Sequence, residues 1–197
     1  MRSALVACAA GALSLTLPLP ANADDLTCME KSYTSQELDV IADAARAADF
    51  GDGASMNEDA ELIFQMAALK SVECANTHAW TEDAVEGAVL YEIGRAGEAA
   101  IRAGRYLAAE DLRILDDALS SGDRSALWRA IEITVADETG TADWLGAHEA
   151  AAEIDRFVIE LGIDPDSDRA ERLGVLFGLM GLQRYGAAMY ARIAGGK

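Results

Sequence analysis

Two histidines and three cysteines are the scarce reactive side chains of this 197-residue chain, and their positions decide which chemistry is open to it. A di-iron carboxylate site needs Glu-x-x-His on two helices, but Ala75 and Leu145 stand three residues before His78 and His148. Neither H-E-x-x-H nor C-x-x-C-H occurs, and no G-x-S-x-G elbow presents a serine nucleophile. Asp164-x-Asp166-x-Asp168 is the one calcium-like spacing, with oxygen ligands at alternate positions that suit a hard cation. An EF-hand would then want glycine at its sixth position and glutamate at its twelfth, where Arg169 and Val175 stand. The favoured reading of these acids is a helix N-terminus, with Ser167 or Asp168 as the cap. No metal and no cofactor are expected.

Carboxylate pairs are plentiful: Glu110 with Asp111, Asp116 with Asp117, Glu149 with Glu153. A hydrolase of the glycosidase kind needs two at a fixed separation, one with a raised pKa. Abundance makes each pair uninformative, and Arg113 and Arg156 supply i,i+3 partners that read as solvated helix faces. His148 follows Trp144 by one turn at the border of an apolar stripe, the position of a half-buried structural histidine. Asn76, His78 and Trp80 fall in a short polar stretch between helices. With Trp144 and His148 they are the places to look for ligand contacts.

The cysteines turn on the start of the chain. Arg2, an apolar run from Ala4 to Leu17, the breakers Pro18 and Pro20, and Ala21-Asn22-Ala23 read as a secretory signal over residues 1–23. Leu5-Val6-Ala7-Cys8 resembles a lipoprotein box, but almost no apolar sequence precedes it. Cleavage would remove Cys8 and leave Cys28 and Cys74 as an even pair, a disulfide in the bacterial periplasm or outside the cell. Closing that loop stabilises by roughly 4 kcal/mol in the chain-entropy model. The alternative is two buried thiols.

The elements that must carry these residues read as helices throughout, because β-branched residues nowhere alternate at period two. A polar lead-in, 24–33, precedes the capping box Thr34-x-x-Glu37, which opens a helix with Leu38, Ile41, Ala42, Ala45 and Ala48 on one face. Asn57 caps the next, striped by Leu62, Met66, Leu69 and Val72. Thr81 caps a long helix with Val85, Val89, Ile93, Ala96 and Ala100 inward. Leu107–Leu119, a helix from Asp123 to near Gly140, and one from Thr141 to its cap Gly162 follow. The segment 104–123 has the flavour of one tetratricopeptide helix, but nothing repeats it at that period.

The last stretch, Leu173 to Ile193, is apolar on nearly every side, as a buried helix is. Gly174, Gly178 and Gly181 line up on it, so a neighbouring backbone is expected to pass close there. Its apolar part before Gln183 and Arg184 is about ten residues, too short to span a membrane, and Arg184 should pair with a carboxylate or reach water along the helix. The fold expected is all-α: residues 24–197 as a single domain, a compact bundle of about seven helices with one disulfide and the glycine-striped helix at its centre.

Acidic residues number 34 against 16 basic ones, a formal net charge of −18 that becomes −19 once Arg2 is removed with the leader. Such a field repels nucleic acid and anionic membrane surfaces. The function expected is binding of a protein partner or a small ligand by an exported soluble protein (an inhibitor, immunity-type or accessory protein), as monomer or homodimer, with no catalytic residues. A small exported hydrolase using paired carboxylates is the alternative from another class, and a calcium-responsive module on Asp164, Asp166 and Asp168 a third.

Overall fold

The computed structural model describes residues 23–51, 56–138 and 144–194, so the expected leader lies, apart from Ala23, outside the described residues. These residues hold eight helices and no strand: α1 Ala23–Ser32, α2 Ser35–Ala45, α3 Glu58–His78, α4 Glu82–Ala103, α5 Ala109–Ser120, α6 Ser125–Glu138, α7 Trp144–Glu160 and α8 Asp168–Ala194. Seven match the expected ones. The eighth, α1, occupies what reads in the sequence as a polar lead-in. Tertiary packing overrides its polar composition: Leu26 and Met29 are buried with Cys74, Ala84, Ala88 and Tyr190, and Cys28 is bonded to Cys74.

Local chemistry sets the helix ends. The Glu37 backbone N–H donates to Thr34 Oγ1 at 3.2 Å while the Thr34 N–H donates to Glu37 Oε2 at 2.7 Å, a complete capping box for α2. Asn57 Oδ1 accepts from Ala60 N at 3.1 Å, and its amide donates to Ala47 O at 2.9 Å, which ties the α2–α3 connection to the start of α3. Gly162, at φ +73°, ends α7. Its N–H donates to Ile159 O at 2.9 Å and that of Ile163 to Val158 O at 3.2 Å, a Schellman pattern with Ile163 and Val158 both buried. Ser167 Oγ then accepts from Ala170 N at 3.3 Å to open α8.

α4 and α8 form the most extensively packed pair, with α3 against α4 and α6 against α7 and α8. Glycine makes this approach possible. A Cβ on Gly94 would stand 2.4 Å from Gln183 N and Leu179 O, and one on Gly186 2.4 Å from Tyr91 N. Gly181 faces α6, where Ile131 and Val135 side chains lie 2.7 Å from a built Cβ. The expected stripe is therefore corrected: Gly181 meets a neighbour, but a Cβ on Gly174 or Gly178 would have nothing within 4 Å among the described residues. α8 still supplies the core from its other sides, through Leu173, Leu176, Phe177, Leu179 and Met180.

The buried faces of three helices overlap those expected only in part. Around α2 the expected Ala45 and Ala48 are buried, but Ala44 is buried with them and Leu38 is 52% exposed. On α3 Leu69 and Val72 are 63% and 49% exposed, while Ala60, Ile63, Ala67, Lys70, Ser71 and Cys74 turn inward. On α4 Ala96 and Ala100 are buried as expected, but Ala84, Gly87, Ala88, Glu92, Gly94 and Gly97 share the buried face, with Val85, Val89 and Ile93 at its margin. Small residues let the axes close, and larger apolar ones are left to seal the edges. Among the described residues no helix is long and apolar enough to cross a membrane. Arg184 does find a carboxylate, with its Nε 2.7 Å from Glu132 Oε1 and its guanidinium 4.8 Å above the Trp128 ring.

Candidate functional site

The stretch from Asn76 to Trp80 is not a loop, because α3 runs on to His78 and only Ala79, at φ +51°, breaks it. His78 stacks on Trp80 with ring centroids 5.9 Å apart, and Trp80 meets Tyr190 edge to face at 5.2 Å. Trp80 therefore joins the Cys28–Cys74 bridge in holding α1, α3 and the end of α8 together. Its buried Nε1 has no hydrogen-bond partner among the described residues. Asn76 is exposed beside it. Trp144 and His148 lie on α7, which packs against α6. His148 is exposed rather than half-buried, since α7 turns Ala150, Phe157 and Val158 inward instead.

The carboxylate pairs are taken up largely by arginines. Arg113 bridges Glu110 at 2.6 Å and Asp117 at 2.8 Å, Arg102 holds Glu98 and Asp116, Asp111 pairs with Arg169, and Glu153 with Arg156. In the acidic turn Asp164 Oδ1 accepts from Asp166 N at 3.1 Å. No group of three His, Cys, Asp or Glu suited to a metal ion occurs among the described residues.

One charged cluster has no counterpart in the sequence reading. Glu92 is fully buried. Tyr33 OH donates to its Oε1 at 2.7 Å, and Arg95 forks onto both oxygens at 2.8 and 2.6 Å. Lys70 and Arg95 lie over the Tyr33 ring at 5.6 and 5.9 Å, and Lys70 Nζ reaches Glu37 and Glu73, each at 2.8 Å. The Lys70 hydrogen bond, seconded by those from Thr34, pulls the Glu37 carboxyl down to about 2. Burial and then the Glu92 carboxylate raise the Tyr33 hydroxyl far above its ordinary value. With both Glu92 oxygens engaged and Tyr33 held protonated, the cluster clamps the α1–α2 linker onto α3 and α4. The sequence signal was available: Glu92 continues the run Ala84, Ala88 at four-residue spacing, one helical turn before Arg95.

A further feature is concave and apolar. A groove of about 380 Å³ runs between α8 and the α3–α4 side, walled by Phe50, Met56, Phe64 and Ile93 and floored by Gly174, Val175, Gly178, Leu179 and Leu182, with Glu171 at one end. Glu171 and Gly174 also line a second hollow of about 300 Å³, where Asp155, Asp166 and Asp168 converge and no basic residue lines the wall. Those four carboxylate side chains are exposed and make no ion pair among the described residues. The nearby arginines are turned elsewhere: Arg169 to Asp111, and Arg172 to Tyr106 O at 3.1 Å. The arrangement can hold an apolar body with a cationic flank. None of its residues is paired as nucleophile and base. No protein-family model, curated protein or solved structure matches the chain.

Proposed function

We propose that this chain is an exported, all-helical protein that acts by binding a partner in the groove beside α8, without catalysis. The observation that carries the reading is the open floor at Gly174 and Gly178. Each glycine costs about 1 kcal/mol against alanine in a helix interior, and no neighbour among the described residues requires either one. Close approach by something outside the chain accounts for them. Export is supported by the signal-like residues 1–23 and by the disulfide, which belongs to an oxidising compartment.

Nile red, a neutral apolar dye, tests the groove. The parent should bind it with enhanced fluorescence, and Gly178→Leu should remove that binding while melting at the same or a higher temperature. A Cβ there has nothing within 4 Å among the described residues, so leucine extends into the groove and gains helix propensity of somewhat under about 1 kcal/mol. Dye binding that survives Gly178→Leu, or a variant that no longer folds, would refute the reading.

A further inference from the structure

We infer that the occupant of this groove is a basic amphipathic helix supplied by a different protein; the inference rests on the proposed binding role of the groove. From Glu171 to Leu182 the floor runs about 16 Å along α8, the length of a three-turn helix. Its apolar walls include Met56 and Phe64, side chains that adapt to, or pack flat on, apolar anchors at i, i+3, i+4 and i+7. Gly174 and Gly178 lack the Cβ atoms that would hold another backbone away.

The charge of the occupant follows from the continuation of the groove. Asp155, Asp166, Asp168 and Glu171 line one acidic hollow that no basic residue lines, and none of the four makes an ion pair among the described residues, so a docked helix carrying Lys or Arg along its flank gains attraction and an acidic one is repelled. A second copy of this chain fits poorly on the same ground. Each copy carries a formal charge of −18, and both would present the same acidic hollow.

The test uses the whole mature chain, oxidised, and a fluorescein-labelled synthetic helix of about fourteen residues built from Leu and Lys, with Leu on one face. Anisotropy should report saturable binding that displaces Nile red. Gly178→Leu should weaken it by roughly tenfold or more, the loss of a central contact. The double variant Asp155→Asn, Glu171→Gln should weaken it several-fold in about 50 mM salt and hardly at all in about 500 mM, where screening has already removed the attraction. A Leu/Glu helix of the same pattern should fail to bind.

Equal binding of the Leu/Lys helix to parent and Gly178→Leu would mean adsorption to an acidic surface and would overturn the inference. Displacement of the dye by hexadecyltrimethylammonium but not by the helix would assign a small cationic amphiphile and leave only the binding role. A parent dimer in sedimentation that Gly178→Leu converts to a folded monomer would assign a second copy, with the same consequence. Absence of dye binding would remove the groove itself, and so the proposed function.

Discussion

Glu92 sits within the α4 interior without a single solvent-facing atom, which is tolerable only because every acceptor position facing Tyr33 and Arg95 is used. Removing a partner from such a pair typically costs more than the pair contributes over an apolar replacement. The neighbouring Lys70 is nearly as enclosed, and burial acts to lower its pKa, yet the bonds to Glu37 and Glu73 outweigh it and the net shift is upward. Glu37 carries the testable consequence. Its folded-state pKa lies below the unfolded value of about 4.5, near 2, so its contribution to stability is present above the unfolded pKa and is lost as pH falls through that window. Glu37→Gln keeps the capping box, since glutamine serves at that position, and removes only the charge. The urea midpoint of the parent should fall more steeply than that of Glu37→Gln on acidification from about 4.5 to about 2. Parallel curves would show that the Lys70 contact contributes nothing.

At the scale of elements, the contact of α4 with α8 organises the bundle, and it depends on glycines placed opposite backbone. Gly94→Ala puts a methyl group 2.4 Å from Leu179 O and Gln183 N, neither of which can swing aside. Its helix-propensity gain of about 1 kcal/mol is set against overpacking of about 1–3 kcal/mol or more, so the variant should be less stable by chemical denaturation. Gly178→Ala, on the same pair of helices but over the groove, should instead gain most of the propensity difference. Opposite signs for one chemical change would locate the close approach at Gly94. A stabilised Gly94→Ala would show that the helices lie further apart than described.

For the molecule as a whole, the Cys28–Cys74 bridge, with Cα atoms 6.0 Å apart across a separation of 46 residues, fastens α1 to the end of α3. Beyond it α1 is held by Leu26, Met29 and the Tyr91–Glu30 hydrogen bond at 3.2 Å. A proposed export route and this bridge can be read together by intact mass and thiol labelling of the secreted protein. The expected mass starts at Asp24, with Cys28 and Cys74 unreactive until reduced. Retention of Cys8 with an attached lipid, or ready labelling of both thiols in the native compartment, would contradict the route. The formal net charge, −18 for the full chain, opposes approach of any acidic surface and favours a basic one.

Much of this was legible in the linear chain because it is local. Thr34, Asn57, Thr81 and Gly162 mark helix ends through bonds to backbone a few residues away, and the acidic balance needs no structure to be counted. The pairing of Cys28 with Cys74 followed from there being no other cysteine left once Cys8 is set aside. Tertiary structure decided the rest. Periodicity marks the apolar side of a helix, but the buried side is set by how closely backbones approach. That is why Leu69 and Val72 face out while Lys70, Ser71 and Glu92 face in. Helicity of α1 depends on a bridge and on neighbours that its own residues do not announce. α8 carries four glycines, and only the positions of α4 and α6 separate Gly186, against the Tyr91 backbone, and Gly181, packed against Ile131, from Gly174 and Gly178, which face the open groove.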